Sequence, residues 1–231
     1  MSVVDLDKDI DDNSYILDKL GYNQYFGYIY GDKGSTEAYA MNVFTKEKGK
    51  REVLKEITMG SSGTGSYTIY YMEGKANNRK TSEMLLLGSG KLEHSGYVTH
   101  KLDNPKILDD DVTDYSIVVY YKMDSSAMPI PVSGRDSNRY RPVSVASGVT
   151  FASPDGINWS DLSNFNGTLL IASIKAFTDD VDYSIDFGKP VVTVNQNYYE
   201  VNIEYTSYKV DINNISLVLT GSDGFVYAPK Y

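Results

Sequence analysis

A chain of 231 residues with no cysteine, 31 acidic against 22 basic side chains and a net charge of −9 excludes several functions before any motif is read. Disulfides, thiolate metal sites and cysteine nucleophiles are ruled out. The acidic field repels phosphate backbones and anionic lipid, which disfavours nucleic-acid binding and electrostatic membrane docking. Its 41% of hydrophobic residues suffices for a core, and 21 Tyr against 7 Phe and 1 Trp is a strand-forming aromatic set that faces water or carbohydrate equally well. No apolar run approaches the roughly 20 residues that span a bilayer. The start, MSVVDLDKD, has neither a basic nor an apolar segment, so no signal peptide is read there. An exported parent would make this chain an internal fragment.

In chain order, residues 1–14 read as an acidic, unpatterned lead-in. Asp5, Asp7, Asp9 and Asp11 alternate as in a calcium loop. An EF-hand loop, however, needs Gly at its sixth place and Glu at its twelfth, where Ile10 and Ile16 stand, so the run reads as solvated. Residues 15–30 are rich in Tyr and Gly without helical period. Strands are expected at 38–45 and 53–59, with a loop at 60–66. That GSSGTGS loop is no phosphate cradle, because neither a Lys-Ser/Thr pair nor a helix follows it. A strand at 67–72 precedes a polar excursion at 73–80, and residues 84–87 lead into Gly88-Ser89-Gly90. Alternation returns at 96–102. Asn104-Pro105 and Asp109-Asp110-Asp111 are turn material before YSIVVYYKM, 115–123, the strongest β run of the chain. Two prolines confine 128–132 to an edge or an irregular strand.

Val149 and Phe151, the turn residues Ser153-Pro154-Asp155-Gly156, and then Trp159 spell a β-hairpin. Residues 168–177 read as one buried strand closing the domain. After an acidic joint at 178–182, alternation resumes at Tyr199, Val201, Ile203 and Tyr205, then at Ile215, Leu217 and Leu219, with a Ser222-Asp223-Gly224 turn beyond. Many short strands divided by Gly, Asn, Asp and Pro predict an all-β protein: an antiparallel β-sandwich of the jelly-roll kind. Residues 179–231 are expected as a small C-terminal β extension or second β unit, too short for an immunoglobulin-like sandwich.

With these landmarks placed, residues 15–178 resemble the lectin-like domain that accompanies papain-family cysteine peptidases of clostridial-type bacteria. The resemblance is carried, in order, by Tyr15 with Asp18-Lys19-Leu20-Gly21, Ala40-Met41-Asn42-Val43-Phe44-Thr45, Gly96-Tyr97 and Tyr115-Ser116-Ile117-Val118-Val119. Pro129-Ile130-Pro131-Val132, Ser153-Pro154-Asp155-Gly156 with Trp159, and Ile174-Lys175-Ala176-Phe177-Thr178 complete it. It implies a jelly-roll sandwich beside a peptidase in a secreted or cell-surface protein, binding sugar or metal, or holding the catalytic domain to the wall. One departure is the more acidic loop 109–114, and residues 184–231 fall outside the resemblance. The peptidase needs a cysteine, so this chain is expected to be no enzyme.

For carbohydrate, the expected contacts are Trp159, Tyr97 and Tyr140, with Arg139 and Arg141 flanking Tyr140 to bond hydroxyls or carboxylates. Asp155 joins them, because Asp155-Gly156 with Trp159 is similar to the turn of discoidin-type sugar modules. Asp109, Asp110, Asp111 and Asp114 are the candidate oxygens for Ca²⁺, the one cofactor considered, although Asp in inter-strand loops is also commonly just solvated. The expected partners are a glycan or cell-wall polymer and a covalently linked peptidase or surface module. A spacer packing on that module is the alternative. No nucleophile elbow and no assignable carboxylate pair points to hydrolysis.

Overall fold

The computed structural model describes residues 11–19, 21–30, 33–75, 80–125, 128–134, 144–181, 184–189, 191–194, 199–208, 219–220 and 226–227. The chain divides into two compact units, 1–180 and 181–231. In the first, the strands are β1 (Asn13–Ile16), β2 (Gln24–Phe26), β3 (Ile29–Tyr30), β4 (Lys33–Gly34), β5 (Glu37–Thr45), β6 (Glu52–Ser62), β7 (Gly65–Glu73) and β8 (Leu85–Leu92). They continue with β9 (Ser95–Leu108), β10 (Asp114–Met123), β11 (Ile130–Gly134), β12 (Thr150–Ser153), β13 (Ser160–Asp161), β14 (Leu170–Ala172) and β15 (Ile174–Asp180). Among the described residues there is no α-helix, only the 3₁₀ turns Thr81–Glu83 and Leu162–Asn164.

Among the described residues all strand pairings are antiparallel. They build a four-stranded sheet β1-β15-β6-β9, a six-stranded sheet β13-β12-β5-β10-β7-β8 and a three-stranded sheet β14-β11-β2. The sheets pack as a sandwich, and side-chain alternation explains how. Ala38, Ala40 and Phe44 of β5 and Tyr115, Ile117, Val119 and Tyr121 of β10 face Leu54, Ile57 and Met59 of β6 and Ile174 and Ala176 of β15. Each large side chain buried there contributes about 1.5–3 kcal/mol. The opposite face of the six-stranded sheet is covered as well: Met41, Val43, Met72, Val118 and Phe151 form a second buried cluster. Being buried on both faces, β10 reads as a continuous apolar run rather than an alternating one.

The sequence expectations need correction at several places. Asn13 and Ser14, expected in the lead-in, belong to β1 and pair with Thr178 and Phe177 of β15. The loop at 60–66 shrinks to Gly63-Thr64, where the chain steps from the four-stranded to the six-stranded sheet. Gly88-Ser89-Gly90 lies inside β8, the sheet edge. Its glycines are there for space, since a Cβ on Gly88 would collide with the His100 ring and one on Gly90 would come within 2.5 Å of the Tyr67 hydroxyl oxygen. Asn104-Pro105 interrupts no strand. The β6 register jumps from Lys106 opposite Leu54 to Lys101 opposite Glu56, and the proline sits in that irregularity.

Proline-containing β11 is central rather than an edge, between β14 and β2. It can be, because β14 pairs only from Val132 onward, beyond Pro131. Finally, residues 168–177 are two strands. The chain leaves β11 at Ala172 and joins β6 at Ile174. Buried Asn42 holds this crossing from β5, its Nδ2 donating to Ala172 O (2.9 Å) and Ile174 O (3.0 Å). Ser173 N donates to Pro131 O, and Ser173 O accepts from Gly60 N.

In the second unit, β16 (Ser184–Phe187) pairs with β19 (Tyr205–Tyr208) around the inner pair β17 (Val191–Val194) and β18 (Tyr199–Asn202), a nested antiparallel arrangement. β20 (Leu219–Thr220) pairs with β21 (Val226–Tyr227). The run expected from Tyr199 to Tyr205 is interrupted between Asn202 and Tyr205. Ile215, Leu217, the 222–224 turn and Asp5, Asp7 and Asp9 lie outside the described residues.

Candidate functional site

The site grows from the β12–β13 hairpin. Ser153 Oγ accepts from Gly156 N (2.9 Å) and donates to Asp155 Oδ1 (3.0 Å). Asp155 Oδ1 also accepts from Ile157 N (2.9 Å) and Asn158 N (2.8 Å), and Oδ2 accepts from Asn158 Nδ2 (2.7 Å). These donors, the Asn158 backbone N–H first, draw the Asp155 carboxyl down to about 2. Gly156 has φ +71°, and a Cβ there would clash with Thr81 Oγ1. Both Thr81 N (3.0 Å) and Thr81 Oγ1 (2.9 Å) donate to Gly156 O. The hairpin turn is thereby locked onto the 3₁₀ turn preceding β8.

Between these turns and the outer face of the six-stranded sheet lies a cavity of about 310 Å³, lined by Tyr39, Tyr70, Lys80, Thr81, Asp155 and Ile157 among others. The alternation that turns Ala38 and Ala40 inward turns Tyr39 outward, over the second apolar cluster. The Tyr39 ring lies 4.6 Å from Tyr120 at 30° and 6.5 Å from Trp159 at 75°. Tyr120 bonds Glu37, which also pairs with Lys122 at 3.1 Å, and these contacts pull the Glu37 carboxyl below its ordinary range. Burial, then Tyr70, pushes the Tyr39 hydroxyl upward, so the phenol stays neutral at any physiological pH. The result is a recess with aromatic walls and hydroxyl and ammonium donors at its rim, within the range of small-ligand pockets.

Of the residues expected from sequence, Asp155 lines this recess, whereas Trp159 does not: its ring stands edge-on to Tyr39, packed against the second apolar cluster. Asp155 is engaged by its own turn through both oxygens. Tyr97 lies elsewhere, on the outward side of β9 in the four-stranded sheet. Arg139, Tyr140 and Arg141 lie outside the described residues. Asp109 Oδ1 is 3.1 Å from Arg51 Nε, Asp114 Oδ1 accepts from Thr45 Oγ1 (2.7 Å), and Asp109, Asp110 and Asp111 face solvent. Among the described residues no group of three or more His, Cys, Asp or Glu side chains is placed to hold a metal. Sequence reasoning missed Tyr39, Tyr70 and the Lys80-Thr81 rim. The signal for Tyr39 was present in AYAMNVF, where apolar residues on both faces of one strand announce a covered outer surface.

Compared with known proteins, residues 14–178 match the family described as Lectin like domain. Among solved structures, the chain is similar to the cysteine protease and lectin-like domains of Cwp84, a surface layer associated protein of Clostridium difficile. The identity is 19% and the TM-score 0.53, over 63% of this chain and 33% of that one. It is equally similar to the clostridial cysteine protease Cwp84 after propeptide cleavage, at 19% identity and TM-score 0.53 over 63% and 36%. The chain thus spans about a third of the length of these structures, and at this identity the likeness is one of fold. No curated protein matches it.

Proposed function

The chain belongs to the lectin-like domain family, and from that membership we propose that it is a non-catalytic accessory domain of a bacterial surface protein, binding carbohydrate in the recess lined by Tyr39 and Tyr70, with Trp159 edge-on to Tyr39. The observation that carries this reading is the recess itself. Tyr39 and Tyr70 line it above the second apolar cluster, and two cross-bonded turns hold its rim. A pyranose presents an apolar C–H face that stacks on such rings, while its hydroxyls bond Lys80, Ser82 and the tyrosine hydroxyls. With no cysteine in the chain, a peptidase activity belongs to a linked module, as the lectin-like domain of Cwp84 was solved together with a cysteine protease domain. The setting proposed is extracellular or wall-associated. Among the described residues no helix is long and apolar enough to cross a membrane.

The test is retention of the domain by purified Gram-positive cell wall. Wild type is retained, and Tyr70→Ala and Trp159→Ala bind at least about tenfold more weakly while keeping the wild-type circular dichroism. Retention of both variants at wild-type level refutes the recess as the site.

A second reading, a spacer packing on a neighbouring module, is favoured by one feature. Edge strand β8 exposes adjacent Leu85 and Leu86, 51% and 60% open to solvent. Unpaired strand edges with apolar side chains invite another polypeptide. Leu86→Lys abolishing association with the linked catalytic module, with wall retention intact in every variant, would select this reading.

A further inference from the structure

We propose a second carbohydrate platform on the opposite layer of the sandwich, formed by Tyr22, Tyr25 and Tyr97 with Lys175, which makes the domain bivalent for glycan polymers. It rests on the carbohydrate reading above for the class of ligand, but on separate residues. The outward side of the four-stranded sheet carries Tyr97 on β9 and Lys175 on β15, because Val98, Ile174 and Ala176 point into the core. Tyr22 joins them from the segment before β2. Its ring centroid is 5.2 Å from Tyr97 and 5.7 Å from Tyr25. Three tyrosines are among the most exposed large apolar side chains of the described residues. Two of these, Tyr25 at 42% and Tyr97 at 43%, stand in this one cluster.

The way Tyr97 is held separates this from ordinary half-exposure. A tyrosine at a sheet surface normally packs its ring and gives its hydroxyl to water. Here the hydroxyl is tied into the protein. It accepts from Tyr22 N (3.1 Å) and lies 3.4 Å from Ser173 Oγ. Gly21, with φ +79°, leaves room for it, since a Cβ there would come 2.9 Å from the hydroxyl oxygen. The ring is thus fixed by its polar end while much of its surface meets solvent, an arrangement suited to stacking. Lys175 Nζ stands 4.8 Å from the Tyr97 ring centroid, a donor for ring hydroxyls of a stacked sugar. No anionic group is needed on the ligand, so the class is a neutral pyranose polymer. One recess on the outer face of the six-stranded sheet and one platform on the outer face of the four-stranded sheet would engage separate polymer chains, with the gain of linked sites.

The experiment measures binding to purified Gram-positive cell wall, together with turbidity when the domain is mixed with soluble polysaccharide released from that wall. Tyr25→Ala and Tyr97→Ala are expected to weaken wall binding about tenfold each and to abolish turbidity. Tyr70→Ala alone is expected also to abolish turbidity, because cross-linking needs both faces. Tyr97→Phe, which keeps the ring, should retain most binding. Tyr25→Ala removes an exposed ring and leaves the anchoring of Tyr97 in place, so it reports on binding even if Tyr97→Ala is unstable. Wild-type binding and turbidity in Tyr25→Ala and Tyr97→Ala, with loss in Tyr70→Ala, overturn the platform and leave the recess standing. Loss in Tyr25→Ala with none in Tyr70→Ala supports the platform and removes the recess. A wild-type domain that binds no wall overturns both.

Discussion

At Asp155, one carboxylate organises a turn by accepting two backbone N–H groups and two side-chain donors. Asp155→Ala should cost about 1 kcal/mol, as loss of comparable side-chain caps does, and should loosen the rim of the recess. Chemical denaturation checks the first effect, and wall retention the second. Because its folded-state acidity lies at about 2, below the ordinary 3.8, the stability it adds is present above roughly pH 4 and disappears as pH falls toward 2. Asp155→Asn should flatten that part of the acid-stability profile. From the sequence Asp155 reads as a sugar contact, because a one-dimensional string shows an acid in a turn and not whether its oxygens fold back on their own backbone. Tyr97 is legible as an exposed aromatic. Its companions Tyr22 and Tyr25 come from some seventy residues earlier, which spacing alone does not reveal.

Among the elements, the crossing from β14 to β15 is the least expected, since residues 168–177 contain no Gly, Pro, Asn or Asp, only Ser173 at the crossing itself. A run of apolar residues specifies burial, and both halves are buried; it carries no mark of which sheet each half joins. That choice is made by Asn42 on a distant strand. Asn42→Leu should leave the Ala172 and Ile174 carbonyls without their donor in a dry interior and cost roughly 2 kcal/mol. A urea midpoint equal to wild type would contradict this role. The same limit explains β11, whose Pro131 fits a central strand only because its second neighbour begins past it. Strand existence followed from alternation at β6 and from β-branched and aromatic content at β10. The glycine-bearing β8 did not, because Gly88 and Gly90 answer to the rings of His100 and Tyr67 in another part of the chain.

For the whole molecule, the carbohydrate reading proposed above rests on the first unit, a cysteine-free sandwich covered on both faces of its larger sheet. The acidic loop 109–114 is a separate matter. With Asp109 on Arg51 and Asp114 on Thr45, millimolar Ca²⁺ should leave the melting temperature unchanged and EDTA should not lower it, whereas a site binding the native state would raise it. A rise with Ca²⁺ that Asp111→Asn removes would restore that loop as a cation site. The central claim is that sugar stacks in the Tyr39–Tyr70 recess, whose Tyr39 ring is braced by Trp159. Its most direct test is titration calorimetry of soluble polysaccharide released from Gram-positive wall against wild type, Tyr70→Ala and Trp159→Ala, each confirmed folded by thermal melting. The account predicts saturable binding by wild type and affinity at least about tenfold weaker in both variants. Equal affinity in all three proteins would contradict it.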